Sequence, residues 1–427
     1  MTLSAFAQAQ VLQIDPQSID AQAWIVIDPQ SQQVIAEHAA DVQRAPASLT
    51  KMMVGYLTIK AIEEKKISLD QIITVPEIVK TVQGDESRLK LKPNEQISVE
   101  QLLASLLIMS ANDAALTLAT VISGDVPSFL KLMNETAQNL GMKNTNFSNP
   151  SGITMVDHYM SARDLSLLAQ AIVIETPLYL NYSKQQEFIY KDIYHRATNL
   201  LLKKYPNSVD GFKTGYTQAA GYNLALSSNL VDINTHEARR LLVVVMGSPS
   251  KQKRADMAET LMNIAYNYTQ TTQLFKQNYK IASFPVINGE NSRYNLTFKP
   301  DNSYHTLSLL NEPTVLNARQ FDNTLQRFII DPQLKTTLEP LKSPQHLKYH
   351  SKLLVSELTA PIQQSKMPLA EISITQFGKD VHNIQVVADV DLKEASLWQK
   401  ICDWFQQWID QFSGTQHKSE LYQIPSE

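Results

Sequence analysis

Apolar residues recur along this chain with two different periods, and the switches between them mark its elements. Trp24-Ile25-Val26-Ile27, the turn signal Asp28-Pro29 and then Val34-Ile35-Ala36 read as two strands joined by a turn. Past the punctuation of Pro46, Met52, Met53, Tyr56, Leu57 and Ile59 to Ile62 fall at helical spacing, so a helix is expected from about Ser48. From about Val99 to Ala171 the pattern is mostly helical and rich in Leu, Ala and Met. Strands return at Tyr222 to Ser228 and Leu241 to Met246, followed by a helix from about Lys253 to Tyr266. Helices inserted between an N-terminal hairpin and later consecutive strands predict an α+β domain, an antiparallel sheet covered by helices.

Past about Gln273 the texture changes to short strand-like runs, Lys280 to Val286, Tyr294 to Phe298, Leu369 to Ile374 and Val381 to Ala388, separated by Asn, Asp, Gly and Pro. This predicts a small, mostly β domain over 273–390, after a first domain over 11–272. Between Leu392 and Phe412 the residues Leu397, Trp398, Ile401, Trp404, Phe405, Trp408, Ile409 and Phe412 recur at steps of three and four opposite Gln399, Lys400, Asp403, Gln406, Gln407 and Asp410. That spacing predicts one amphipathic helix over 391–412, with a polar tail over 413–427. Met1 to Gln10 holds the small-x-small patterns Ala5-Phe6-Ala7 and Ala7-Gln8-Ala9 and reads as the remnant of a signal peptide or else as an Ala-rich, disordered start.

Composition narrows the classes. A length of 427 residues suits two or three domains, and 38 Lys+Arg against 42 Asp+Glu gives a net charge of −4, which provides no overall attraction for nucleic acid. The single cysteine, Cys402, rules out an intramolecular disulfide framework and a Cys-rich zinc site. Nine His residues lie scattered without an H-E-x-x-H or similar cluster, and no Gly-rich phosphate loop occurs, so no metal or other cofactor is expected.

What remains is a set of Ser and Lys motifs. S-x-x-K occurs at Ser48/Lys51, Ser87/Lys90, Ser128/Lys131, Ser248/Lys251 and Ser250/Lys253; S-x-N occurs at Ser110/Asn112 and Ser227/Asn229; K-T-G occurs once, at Lys213-Thr214-Gly215. Order along the chain and setting select Ser48/Lys51, Ser110/Asn112 and Lys213-Thr214-Gly215. A serine at a helix start with a lysine one turn later puts hydroxyl and amine on one face, so a desolvated, neutral Lys51 could take the Ser48 proton. Ser110 is expected at a helix-to-loop junction, where its hydroxyl could pass a proton to a leaving amine while Asn112 holds a substrate amide. Lys213-Thr214-Gly215 is expected to begin a strand, cation and hydroxyl gripping a carboxylate and Gly215 letting a substrate backbone lie against the strand. Each motif alone has an ordinary structural use: a helix N-cap at Ser48, a helix terminus at Ser110, a turn entering a strand at Lys213. The three in this order form the signature of serine acyl-transfer enzymes, the class A β-lactamases and penicillin-binding proteins.

With these motifs the chain resembles the low-molecular-mass penicillin-binding proteins, D-alanyl-D-alanine carboxypeptidases of the penicillin-binding protein 5/6 type. The resemblance runs from about residue 20 to 412. It is carried by Ala45-Pro46-Ala47-Ser48-Leu49-Thr50-Lys51-Met52-Met53, Leu91-Lys92-Pro93, Ser110-Ala111-Asn112-Asp113-Ala114 and Leu140-Gly141-Met142-Lys143-Asn144-Thr145-Asn146-Phe147. It continues through Ser161-Ala162-Arg163-Asp164, Val209-Asp210-Gly211-Phe212-Lys213-Thr214-Gly215-Tyr216-Thr217, Ala220-Gly221-Tyr222-Asn223 and, in the second domain, Glu357-Leu358-Thr359-Ala360-Pro361-Ile362. It implies a serine β-lactamase/DD-peptidase-like fold. It also implies removal of the terminal D-Ala of peptidoglycan pentapeptide through an acyl-enzyme on Ser48, acylation of that serine by β-lactams, and an oxyanion hole from the backbone N–H groups of Ser48 and Tyr216. The terminal helix resembles the family's membrane anchor, which implies a protein exported by a cleaved signal peptide and held peripherally on the periplasmic face of the bacterial inner membrane.

The chain departs from the family at three places. Position 111 is Ala where Gly is common, Tyr216 stands where close relatives often have His, and Thr198 stands where some relatives have Arg. Carboxylate recognition is then expected to rest on Lys213 and Thr214, with Arg196 as a possible helper. Rival readings are a DD-endopeptidase acting on cross-links, a class A-like β-lactamase, and a non-catalytic module that binds β-lactams or muropeptides. For the lactamase the deacylating Glu would have to come from Glu175-Thr176-Pro177-Leu178-Tyr179, which lacks the expected Asn.

Overall fold

The computed structural model describes residues 12–231, 238–273, 278–297, 305–309, 321–322, 327–328, 347–376, 379–402, 404–405 and 419–421. The expected signal-peptide remnant and the polar tail beyond 421 lie outside them. The chain divides into two compact units, Met1–Thr269 with Asn311–Leu338, and Gln270–Leu310 with Glu339–Glu427. The sequence places one boundary at 272/273; the observed cut is at 269/270, where Thr269 is still tied to the preceding helix through the Ala265 carbonyl at 2.7 Å.

In the first unit, strands β1 (Ala23–Asp28) and β2 (Gln33–His38) form the expected hairpin. The Asp28 carboxylate closes their turn by accepting the N–H groups of Gln30 and Ser31, both at 2.9 Å. The next helices are α1 (Lys51–Glu63), α2 (Val99–Ile108), α3 (Asn112–Ser123), α4 (Val126–Asn139) and α5 (Ala162–Glu175). Then come β3 (Val209–Thr217), β4 (Gly221–Val231), β5 (Ala238–Ser248) and α6 (Lys251–Tyr268). The five strands make one sheet in the order β2-β1-β5-β4-β3, with every neighbouring pair antiparallel.

Strand periodicity divides the side chains between two layers. Ile25, Ile27, Leu242, Val244 and Met246 join one core with α1 to α5, whereas α6 packs on β4 and β5 outside that cluster. The α+β expectation is met by this arrangement. The long helical run from Val99 is interrupted where glycines adopt positive φ, at Gly124 after α3 and Gly141 after α4, and residues 142–161 form an irregular stretch. Two local expectations need correction. Ser48 lies in a short 3-10 turn, Ala47–Thr50, that runs directly into α1. Lys213 lies inside β3, paired with Ala225, because the strand begins four residues earlier at Val209.

The second unit is mostly β. Its strands β6 (Lys280–Ile287), β7 (Arg293–Thr297), β8 (Leu347–Leu353), β9 (Ile362–Gln376) and β10 (Lys379–Leu392) bury a core that includes Ile281, Phe284, Leu358, Leu369, Ile372, Ile374, Ile384 and Val390. Residues 397–402 and 404–405 are helical and present exposed Leu397, Trp398, Ile401, Trp404 and Phe405. The expected start at 391 is corrected: strand β10 runs to Leu392 and helical residues begin only at 397. Asp403 and residues 406–412, with Trp408, Ile409 and Phe412, lie outside the described residues. Among the described residues no single helix is long and apolar enough to cross a membrane.

Candidate active site

The three motifs chosen by order converge. Their centre is the turn at Ala47–Thr50, which is clamped from three sides. Asn223 on β4 donates its side-chain N–H to the carbonyls of Ala45 (3.1 Å) and Pro46 (3.2 Å), and its Oδ1 accepts the Gly247 N–H at 2.8 Å. Strand β3 presses on the same turn at Gly215, where a Cβ would stand 3.0 Å from both Pro46 O and Ser48 N. The glycine is therefore required by the approach of two backbones, a reason the sequence reading assigned instead to the substrate. From the third side Gly152, at φ +87°, lies so close that a Cβ would come within 2.0 Å of the Ala47 carbonyl oxygen.

A buried histidine completes the clamp. Because His158 Nδ1 accepts the Ser148 N–H at 3.0 Å, its proton sits on Nε2 and is donated to Thr50 Oγ1 at 2.8 Å, which in turn donates to Ala47 O at 2.9 Å. Burial, with the nearby Lys51 charge, drives this imidazole down to about 4, so it stays neutral. These bonds hold Ala47 at φ +49°, a left-handed conformation that costs an L-residue about 1–2 kcal/mol. The strained residue immediately precedes the serine.

Lys51 Nζ donates to Ser48 Oγ at 3.0 Å and to the Ser151 carbonyl at 2.5 Å. The lysine has no solvent exposure, and burial brings it down to about 7 against the opposing pull of Glu86 and Asp113. Lowered this far, it can supply free amine near neutral pH, able to accept the serine proton. Ser110 sits at the α2–α3 turn in a left-handed conformation (φ +71°). Its buried hydroxyl has no partner among the described residues, so it is free to bond an incoming ligand. Asn112 begins α3 and directs its side-chain amide N–H onto Glu86.

The β3 side of the site is cationic. Lys213 is buried, donates to the Thr214 carbonyl at 3.0 Å, and is held well below the lysine range by burial and then by the charges of Lys51 and Arg254. Arg254, from the first turn of α6, is 3 % exposed and brought down to about 10 by burial; it donates to the Thr198 carbonyl at 3.2 Å, and its Nε has no partner among the described residues. The Thr198 hydroxyl meets the Thr214 hydroxyl. Two buried basic side chains and two hydroxyls form an arrangement that can hold a ligand carboxylate, whose charge would restore what burial removes. Tyr216, half exposed, lays its ring on Tyr222 at a centroid distance of 4.2 Å, leaving an aromatic face at the rim.

Arg196 is not part of this receptor: it is exposed on the hairpin of residues 187–196 and stacks over Tyr194 at 5.5 Å. The basic group beside Thr198 is Arg254, 56 residues further along the sequence. Nothing in its local sequence signals this, because the placement comes from α6 packing across β4 and β5. Glu175 is likewise spoken for, accepting the Tyr56 hydroxyl at 2.7 Å and pairing with Lys60 at 3.5 Å. The other S-x-N pair, Ser227/Asn229, lies on β4, where the Ser227 hydroxyl accepts from Arg240.

Comparison with known proteins gives concordant matches. Residues 9–250 match the family described as D-alanyl-D-alanine carboxypeptidase. The D-alanyl-D-alanine carboxypeptidase DacA of Escherichia coli strain K12 is 30% identical over 392 residues, covering 91% of this chain and 87% of the relative. Among solved structures, penicillin-binding protein 5 of Haemophilus influenzae matches with a TM-score of 0.71 at 27% identity, covering 89% of this chain and 100% of that one. The ampicillin-bound penicillin-binding protein D2 of Listeria monocytogenes matches at a TM-score of 0.51 and 28% identity, over 58% of this chain and 98% of its own.

Proposed function

This chain belongs to the D-alanyl-D-alanine carboxypeptidase family, and from that premise we propose how its own residues carry the reaction. It is a serine-type carboxypeptidase that releases the terminal D-Ala from peptidoglycan stem peptides and binds β-lactams. In our reading the substrate carboxylate docks on Lys213, Thr214 and Arg254, with Asn112 holding a peptide amide and β3 aligning the backbone alongside Gly215. Neutral Lys51 takes the proton of Ser48 Oγ as that oxygen bonds to the carbonyl carbon of the penultimate D-Ala. The negative oxygen that forms is met by the backbone N–H groups of Ser48 and Tyr216. When the C–N bond breaks, the proton passes from Lys51 through Ser110 to the departing D-Ala amine. Water then adds to the acyl carbon, giving a proton to Lys51, which returns it to Ser48 Oγ as the acyl C–O bond breaks. A β-lactam follows the first half of this path, its ring amide opening onto Ser48.

The observation that supports this reading best is the 3.0 Å contact between Ser48 Oγ and a fully buried Lys51. A time course of penicillin labelling with product analysis tests it. The protein should take up one equivalent of label, release D-Ala from a soluble pentapeptide, and cleave cross-linked dimers much more slowly. Cleavage of dimers without D-Ala release would instead favour an endopeptidase.

We also propose that the protein works at the periplasmic face of the bacterial inner membrane, held there by its terminal helix. Leu397 and Trp398 are 77 % and 76 % exposed, and Trp404 and Phe405 more than half exposed, which leaves an apolar aromatic face without cover among the described residues. From Leu392 to Phe412 the charges are Lys393 and Lys400 against Glu394, Asp403 and Asp410, so the attraction is hydrophobic. Full-length protein should float with lipid vesicles at low and high salt, and a form ending at Asp391 at neither, while still releasing D-Ala from soluble peptide. If both forms stay in the soluble fraction, the anchor reading is wrong.

A further inference from the structure

The segment 83–91 is bolted to the α2–α3 junction that carries Asn112. The Asn112 N–H donates to the Ser87 carbonyl at 2.8 Å, and the Ser87 hydroxyl donates to the Met109 carbonyl at 2.6 Å. The buried Asp113 carboxylate accepts the N–H groups of Leu89 and Leu91, each at 3.0 Å. Four bonds from three residues of the segment, Ser87, Leu89 and Leu91, thus deliver one side chain, Glu86, to the Asn112 carboxamide. Its Oε2 accepts from Asn112 Nδ2, and its Oε1 is steadied by the Gln83 N–H at 2.9 Å. A carboxylate only accepts, so this contact dictates which end of the Asn112 amide faces Glu86. The NH2 group turns toward it, and Oδ1 with one remaining N–H is left for a ligand.

Resting on the acyl-transfer reading above, we propose that Glu86 is a positioning residue of this site, which sets the orientation of Asn112 and keeps a negative charge beside the Lys51 amine. Four charged or titratable groups bear on that amine: Glu86 from the 83–91 segment, Asp113 from α3, Lys213 from β3 and His158 from the irregular stretch before α5. His158 is neutral and hydrogen-bonded at both nitrogens. Both acids oppose the effect of burial on Lys51; Glu86 is half-buried, whereas Asp113 is locked into backbone bonds. Glu86 favours the protonated amine, so it limits how far burial can turn Lys51 into a free base. It also leaves Lys51 able to hold the proton until the leaving amine claims it.

The test is the pH dependence of acylation of the full chain by benzylpenicillin, followed from about pH 5 to pH 9, with D-Ala release from a soluble D-Ala-D-Ala peptide measured alongside. Glu86→Gln keeps an oxygen acceptor for Asn112 and removes the charge. Its acid limb should move to lower pH by about half a unit to one unit, because Lys51 then loses its proton more readily. Glu86→Ala should show the same displacement and, with Asn112 released, a KM for the peptide raised about fivefold. Glu135→Gln, on the exposed face of α4 where Glu135 pairs with Lys131 at 3.8 Å, should leave the limb in place. An acid limb unmoved or raised in Glu86→Gln, in a protein whose wild type acylates and releases D-Ala, overturns the positioning role alone. A wild type that does neither overturns the acyl-transfer reading with it.

Discussion

A β-lactam should add a single adduct to this protein, on the peptide containing Ser48, and Ser48→Ala should abolish the adduct and reduce D-Ala release by about 10⁴-fold or more, as loss of a nucleophile does. The four other S-x-x-K serines lack the setting that makes Ser48 reactive. Ser87 is exposed and donates to the Met109 carbonyl, and Lys90 is exposed. Ser128 is exposed in the first turn of α4, with Lys131 paired to Glu135. Ser248 is buried at the end of β5, and its Lys251 is exposed. Ser250 caps α6 by accepting the Lys253 N–H at 3.1 Å, while Lys253 pairs with Asp20 at 2.7 Å. Only Ser48 combines a dry amine at hydrogen-bonding distance with a strained preceding residue and a glycine strand beside its N–H. Peptide mapping by mass decides the matter, and an adduct on Ser87, Ser128, Ser248 or Ser250 would sink the assignment.

Replacing Lys51 should be nearly as damaging, and in a different manner from replacing Lys213. Lys51→Ala removes the base and should slow acylation about 10³-fold or more while leaving non-covalent peptide binding largely intact. Lys213→Ala should mainly raise KM for carboxylate-bearing ligands, since Thr214 and Arg254 remain to hold the anion. The pH profile carries a sign. The amine must be neutral to accept a proton, so with Lys51 near 7 the wild-type acylation rate should fall about tenfold for each pH unit below that value and level off above it. Rapid-mixing measurement of acylation across pH checks both points. Equal acylation rates for wild type and Lys51→Ala would refute the base role.

The sequence alone determined the local elements and the identity of the motifs. Strand and helix periods do not depend on distant residues, so β1, β2, β4, β5 and α6 fall where alternation and helical spacing put them, and α1 differs only in starting after a 3-10 turn. The pairing of Ser48 with Lys51 was equally legible, because one helical turn brings i and i+3 together whatever surrounds them. The tertiary structure decided what depends on approach between elements. Gly215 is small because a turn 167 residues earlier in the chain packs on its backbone, and Gly152 because it abuts Ala47. The carboxylate receptor acquires Arg254 and loses Arg196, since α6 lies across the sheet while residues 187–196 form an outlying hairpin. His158 and Glu86 carry no motif that spacing could reveal. They act through hydrogen bonds to Thr50 and Asn112, and these form only once the 83–91 segment and the stretch before α5 have folded against the motifs. Even the acidity of Lys51 is a tertiary property: its side chain is ordinary, and its complete enclosure by the folded core makes it a base near neutral pH.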